Sequence, residues 1–369
     1  MLEHLPPLPA DDARYLYAAP HAPRRLRCAC VVPARDEARR IVACLEALRC
    51  QWTRHASSLR EELAVVLVVN GTTDHTAYQV LQWAALYPSF ALAVVDVDFP
   101  APRAHVGSAR GLGLGIGAHL LRALSEAPPE RRLLFSTDAD TRLAHDAVDR
   151  GLEELGRADA FGANILAGEP DTSRIGLLFN RYRDLHAELR YAVYASPHDR
   201  HPPHGVFGGA GFGVSLSAYE GVGGLPEVSF DEDQGMRARL LDGGYRVSYP
   251  RDIVAYTSTR TTGRTPWGMA KQLAAWEAEA AREEWPLVPA REGLLAKYRL
   301  KARERQRWRG RADHPDRDHG DHRGFEAAWR RYWYSSDVQR RHARRYPLLP
   351  LPEATGQLEL AARAALQHV

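Results

Sequence analysis

Ala64-Val65-Val66-Leu67-Val68-Val69, running into Asn70-Gly71-Thr72-Thr73-Asp74, is the stretch that decides the fold. An unbroken run of apolar, mostly β-branched residues predicts a parallel strand buried on both faces. It stops at a polar turn, and residues 76–86 then take helical spacing. Upstream, 27–32 (RCACVV) is a short apolar strand that reaches Pro33, and 38–50 places Ile41, Cys44, Leu45 and Leu48 at i, i+3, i+4 and i+7 of a helix. Downstream the pattern repeats: strand 91–97, helix 112–124, strand 132–136, helix 144–155 and strand 158–166. Alternation of this kind predicts an α/β fold with a doubly wound, mostly parallel sheet flanked by helices. In such sheets ligands bind at the carboxyl ends of the strands. The polar clusters Arg35-Asp36-Glu37, Asn70 to Asp74, and Asp138-Ala139-Asp140 all fall there.

Beyond this core, 174–195 reads as a long helix, 204–213 (HGVFGGAGFG) as a Gly-rich loop, 233–242 as helix and 245–249 as strand. From about residue 266 the text turns to Ala, Arg, Glu and Trp at helical spacing. The 369 residues therefore divide into a lead at 1–25, a main domain at 26–265 and a mainly helical C-terminal extension at 266–369. The composition, 45% hydrophobic and 26% charged, excludes a disordered or collagen-like chain. No run approaches the roughly 18 apolar residues of a membrane span. Four cysteines without a C-x-x-C pair do not form a disulfide framework, so a soluble cytoplasmic protein is expected. The net charge of +3 conceals a division. Residues 297–346 hold 16 Lys+Arg against 7 Asp+Glu, leaving the remaining chain at −6. Such a basic segment leaves open nucleic acid, peripheral contact with an anionic membrane at its inner face, or a merely solvated helical face. The aromatics Trp308, Trp329, Tyr332, Trp333 and Tyr334 among its arginines read as helix packing rather than a nucleic-acid face.

Asp138-x-Asp140 follows an apolar strand. Two carboxylates at a strand end can hold a hard divalent cation and the diphosphate it bridges, although an Asp-rich turn capping a following helix has the same spacing. Asp231-Glu232-Asp233 before a helix reads either as an acidic cap or as a general base facing a cleft. A dehalogenase-type phosphatase needs Thr where Arg142 stands. A sugar-phosphate nucleotidyltransferase needs a Gly-rich loop where Pro33-Ala34-Arg35-Asp36 stands. The alternating glycines 111, 113, 115 and 117 do not follow a strand as a dinucleotide fingerprint requires, so they suit close approach of a helix to the sheet or to a ligand. The His/Asp-rich stretch 314–322 reads as a solvated loop.

Six pieces in one order carry a resemblance. Val31 to Glu37 (VVPARDE), Val68 to Thr76 (VVNGTTDHT), Gly107-Ser108-Ala109-Arg110, and Asp138-Ala139-Asp140 come first. Gly208-Gly209-Ala210-Gly211 with Gly223-Gly224-Leu225-Pro226 follows, then Glu232-Asp233 with Arg239-Leu240 and Gly244-Tyr245-Arg246-Val247. Together they resemble a family 2 glycosyltransferase of the GT-A fold, within the nucleotide-diphospho-sugar transferases.

The resemblance implies a metal-dependent, inverting hexosyltransferase that uses Mg2+ or Mn2+. Pro33, Arg35, Glu37, Asn70, Asp74, Arg110 and Asp138 would bind the nucleotide-diphospho-sugar donor. Asp140, with Asp138, would hold the cation. Asp233, with Glu232 beside it, would deprotonate the acceptor hydroxyl, and Gly208, Gly209 and Ala210 would line the acceptor. Asn70 stands where the family has Asp, and the family's His after the last strand is not evident. Arg260 and Arg264 are instead candidates to grip the diphosphate, or two arginines of a surface loop. The acceptor, whether glycan, lipid or small molecule, is open. So is a GT-A-like nucleotide-binding or scaffold protein without catalysis.

Overall fold

The computed structural model describes residues 1–8, 13–53, 57–167, 174–195, 202–258, 260, 269–282, 284–309, 322–333 and 335–366. In chain order the first elements are β1 (Ala13–Ala18), β2 (Cys28–Ala34), α1 (Ile41–Arg49), β3 (Leu63–Asn70), α2 (Thr76–Leu86), β4 (Leu92–Val97) and α3 (Val106–Leu124). Next come β5 (Leu133–Ser136), β6 (Thr141–Leu143), α4 (Ala147–Glu154), β7 (Ala160–Gly162), β8 (Asn164–Ala167), α5 (Arg174–Val193), β9 (Phe212–Ser215), α6 (Leu216–Gly221) and α7 (Glu232–Asp242). They continue with β10 (Val247–Ser248), β11 (Val254–Thr257), α8 (Met269–Ala280), β12 (Leu287–Pro289) and α9 (Arg291–Arg309). The last are α10 (His322–Trp333), α11 (Ser336–Arg345), β13 (Leu348–Pro350) and α12 (Leu351–Leu366).

The chain forms two compact units. The first comprises Met1–Gly168 and Val206–Ser258, the second Glu169–Gly205 and Thr259–Val369. In the first, the described strands make an eight-stranded sheet in the order β1-β4-β3-β2-β5-β9-β7-β10. The pairs β4–β3, β3–β2, β2–β5 and β7–β10 are parallel, while β1 and β9 run against their neighbours. A smaller sheet, β6-β11-β8, lies alongside. The fold is thus the expected α/β class with a mostly parallel sheet flanked by helices.

Alternation along β2 shows why its run is apolar throughout. Cys28, Cys30 and Val32 enter one core with Cys44, Leu45 and Leu48 of α1. Ala29 and Val31 enter the other with Leu114, Leu120 and Leu121 of α3. Both faces of the strand are covered, so neither can be polar. Pro33 lies buried opposite Val68, past the last residue of β2 that pairs with β5, where a missing N–H leaves that ladder intact. All four cysteines are free.

Among the elements that differ from the sequence expectation, three bear on the site or on the division into units. α3 begins at Val106, six residues before 112, because His105 caps it through Nδ1, which accepts from the Ser108 N–H at 3.2 Å. The stretch expected as one strand over 158–166 divides at Ala163 into β7 of the large sheet and β8 of the small one. The helix at 174–195 does not join the first unit. Ile175, Tyr182 and Leu185 of α5 share a core with Leu294, Tyr298, Phe325, Trp329 and Leu351 of the second. The units therefore divide differently from 26–265 and 266–369, since α5 packs with the C-terminal helices and β1 pairs with β4 of the sheet. Trp329 and Trp333 are buried in that second core, as helix packing requires.

The alternating glycines bring α3 onto the sheet. A Cβ on Gly113 would lie 2.4 Å from Val31 Cγ1 and 3.2 Å from Val68 Cγ2, whereas one on Gly115 would meet nothing within 4 Å. Both changes to Ala carry the same gain in helix propensity, about 1 kcal/mol. Gly115→Ala should raise the melting temperature, while overpacking should cost Gly113→Ala about 1–3 kcal/mol and lower it. Thermal denaturation of the two variants beside the parent checks this.

Candidate functional site

At the carboxyl ends of the central strands the site is built around Arg110, on the first turns of α3. Its side chain is 3% exposed. Nε donates to Glu232 Oε1 at 3.0 Å, and Nη1 donates to Ser136 Oγ at 2.6 Å and to the Gly209 carbonyl at 3.0 Å. Nη2 donates to Asp138 Oδ1 at 2.9 Å. Burial opposes the guanidinium charge, but Asp138 and Glu232 outweigh it and push the pKa above the ordinary arginine value. Arg110, expected among the donor-binding residues, is thus committed to protein groups. It joins the end of β5, the start of α7 and the turn at 208–211, whose Gly211 N–H donates to the Gly208 carbonyl at 2.9 Å.

The acids at 231–233 have separate positions. Asp231 adopts a left-handed φ of 58° and its side chain caps nothing. Glu232 is buried against Arg110. Asp233 is half-buried, with Oδ2 accepting from the Gly209 N–H at 2.8 Å and Oδ1 from the Gln234 N–H at 2.6 Å. Burial, and then the neighbouring Glu232, raise its pKa above the usual carboxylate range, against the pull of Arg110 and the two backbone N–H groups. The reading of this segment as a plain acidic cap does not hold. Nor does Asp138 cap a helix, since the next element is β6 and the Thr141 N–H meets the Asp138 carbonyl at 3.0 Å. Thr137 Oγ1 fastens the Ala210 carbonyl at 3.0 Å. Gly208, Gly209 and Ala210 therefore lie with Asp138 and Asp233 around one centre.

Asp138 and Asp140 are half-buried on either side of the inward-facing Ala139. Both, with Glu37, act on the Cys44 thiol, which burial above all drives well above its ordinary value. Glu37 is thereby at the same end of the sheet as the acidic pair. Its N–H donates to Thr76 Oγ1 at 2.7 Å. Asp74 is a staple between loops: Oδ2 accepts from the Ala38 N–H at 3.1 Å and Oδ1 from the Thr76 N–H at 2.8 Å. Asp36, held at φ 50°, completes the clasp by accepting from the N–H groups of Thr73 at 2.7 Å and Asp74 at 3.2 Å. Asn70 is buried and donates to the His105 carbonyl at 3.4 Å. Arg35 is exposed.

Arg260 is half-buried in the second unit, and Arg264 lies outside the described residues, as does most of the stretch 314–322. Among the described residues no group of three His, Cys, Asp or Glu side chains forms a metal cluster. Ser136 and Gln234, whose side chain donates to the Phe207 carbonyl, are parts of the site that sequence reasoning missed, while Asp36 stands out in the sequence only as a member of a polar cluster. An Asp in a tight loop, suited to the left-handed region, is the signal for the clasping role of Asp36.

No protein-family model and no curated protein matches this chain. Solved structures do. The chain is similar to a mannosyltransferase from Pyrobaculum calidifontis, PcManGT, in complex with GDP-Man and Mn2+. That match has 19% identity, covers 95% of this chain and 91% of that one, and has a TM-score of 0.48. TarS 1–349 from S. aureus in complex with UDP-GlcNAc matches at 15% identity over 74% of this chain and 71% of that one, TM-score 0.44. Glucosyl-3-phosphoglycerate synthase from Mycobacterium tuberculosis, with Mn2+, UDP and phosphoglyceric acid, matches at 16% over 68% and 76%, TM-score 0.41.

Two outcomes follow from the charges. Arg110→Met strands Glu232 as a buried, unpaired carboxylate and should cost about 3–5 kcal/mol in denaturant unfolding. Asp233 carries a raised pKa in the folded state, so the fold binds its proton more tightly than the unfolded chain does. Its contribution is fully favourable below the unfolded value of about 4 and is lost as pH rises through the folded one. Asp233→Asn, which cannot ionise, should therefore gain stability relative to the parent as pH rises from about 4 towards neutral, from a starting deficit set by the one backbone N–H its amide cannot accept. Urea unfolding across a pH series measures it.

Proposed function

We propose that the first unit is a metal-dependent glycosyltransferase that moves a hexose from a nucleotide-diphospho-sugar to an acceptor hydroxyl with inversion. One observation carries this reading: a single buried arginine ties Asp138 at a strand end to the helix start that bears Asp233. Two acids with different environments then share one site, the arrangement that separates their jobs.

The donor set suits a hard cation. Asp138 gives Oδ1 to Arg110, while its Oδ2 has no hydrogen-bond partner among the described residues and its side chain is 34% exposed. Asp140 follows two residues on. Two carboxylates suit Mg2+ or Mn2+, with phosphate and water oxygens as the remaining ligands. When bound, the cation supplies neutralisation of the charge that develops on the departing nucleoside diphosphate. On the donor side, Glu37 and Asn70 meet the nucleoside, and Asp138 approaches the ribose. On the acceptor side, Asp233 takes the hydroxyl proton. Its raised pKa suits a general base, because a more basic carboxylate accepts a proton with more driving force. The Gly209 N–H holds the oxygen Oδ2 in place, and Glu232 acts through Arg110 rather than on the substrate. The basic segment, 297–346, belongs to the second unit, and the partner it favours is an anionic surface rather than nucleic acid.

Melting temperatures measured with a panel of nucleoside diphosphates, with and without Mn2+, test the reading. Stabilisation by one nucleotide that needs the metal and is lost in Asp140→Ala is expected. Once donor and acceptor are found, Asp233→Asn should lower transfer by about a hundredfold or more while remaining folded. Silence across the panel, or full transfer by both folded variants, overturns it and leaves the scaffold reading.

A further inference from the structure

The β12–β13 ribbon of the second unit has an unusual outer face. Leu287 pairs with Pro350, and Pro289 with Leu348. The two-residue alternation of strands puts these four on one face and Val288 with Leu349 on the other. Val288 and Leu349 pack into the unit's aromatic core. The opposite face carries Leu287 and Leu348, 60% and 50% exposed, with Pro289 exposed and Pro350 half-buried. A ribbon with one face on the core ordinarily gives its other face polar residues. This one is wholly apolar.

The helix leading into the ribbon is strongly basic. In α11 the buried Val338, and His342 set between the rings of Trp333 and Tyr346, fix the side that meets the core. Asp337, Arg340, Arg341 and Arg344 then stand at i, i+3, i+4 and i+7 in one exposed stripe, Arg340 and Arg344 opposite that side and Asp337 and Arg341 on its flank. Arg340 pairs with Asp337 at 2.7 Å, while Arg341 and Arg344 have no carboxylate partner among the described residues. On α10, Arg331 and Tyr332 are exposed as well.

We propose that α11 and the outer face of the β12–β13 ribbon form a docking surface for a membrane that carries anionic lipid. The arginines meet the headgroups, and Leu287 and Leu348 enter the boundary with the acyl chains. Charge and apolar area then act together, as interfacial binding requires. Nucleic acid fits less well, because Trp329 and Trp333, the rings that could stack on bases, are buried in the core. A second copy of the chain fits less well too, since a two-fold interface sets the same arginine stripe against itself. The proposal builds on the basic-segment reading above and does not depend on sugar transfer.

Flotation with vesicles of phosphatidylcholine, alone or mixed with phosphatidylglycerol, tests it at low and at physiological salt. Capture by the anionic vesicles alone, weakened by salt, is expected. The double variant Arg341→Glu/Arg344→Glu should lose roughly tenfold or more in affinity. Leu287→Thr/Leu348→Thr, which keeps the charges, should lose the part of the binding that salt does not remove. Both variants should keep nucleotide and Mn2+ binding, which separates a failure here from a failure of the transferase reading. No capture at low salt, or unchanged capture in both variants, overturns the proposal. So does a dimer that Leu287→Thr/Leu348→Thr dissociates, or RNA binding through the same arginines without vesicle binding.

Discussion

The buried guanidinium of Arg110 is the constraint on which the site depends. Taking a full charge out of water costs several kcal/mol, which is offset only where the partners are close and nearly every N–H is used. Here a carboxylate at each end, a hydroxyl and a backbone carbonyl meet that demand. The same demand reaches outward. A Cβ on Gly209 would lie 2.4 Å from Arg110 Nη2, so the turn over the guanidinium needs a residue without one. α3 must also lie close enough to β2 for Arg110 to reach the strand end, and the bare face at Gly113 permits that approach.

This clamp divides the acids by environment. Glu232 faces the guanidinium directly, and so does one oxygen of Asp138. Asp233 is next in sequence to Glu232, yet it faces backbone N–H groups and feels Glu232 as a like charge. Burial and the neighbouring Glu232 thereby raise the proton affinity of Asp233 above that of an ordinary carboxylate. On the other side of the site, Asp36 and Asp74 use their oxygens to fasten the loops after β2 and β3 to each other. Their side chains shape the site rather than line it.

The second unit follows different physics. Its core is aromatic, with Tyr182, Tyr298, Phe325, Trp329 and Trp333 gathered from α5, α9 and α10. Arginine stems cover large rings well while their heads stay in water, so a basic surface over such a core is chemically consistent. The charge division of the chain thus coincides with a structural one. The carboxylates of the candidate site belong to the first unit and the arginine stripe to the second. Among the described residues no helix is long and apolar enough to cross a membrane.

Much of the sheet was legible because its rules are local. Strands covered on both faces must be apolar at every position, and Val65 to Val69 could hardly be read otherwise. The acidic pair after β5 was legible for the same reason, as polar residues at the point where a buried strand ends. The allegiance of α5 was not, since an apolar stripe states that a face is buried but not against what. The division at Ala163 was hidden too, because a change of sheet alters partners without altering the pattern of side chains. Arg110 is the sharpest case. Its partners Ser136, Asp138, Gly209 and Glu232 lie 26, 28, 99 and 122 residues away in sequence. The sequence by itself determined the buried strands, most of the helices and the polar residues at the strand ends, because those follow from periodicity and residue type. Only the tertiary structure decided which groups Arg110 pairs with, because pairing across such separations leaves no periodic trace in the chain.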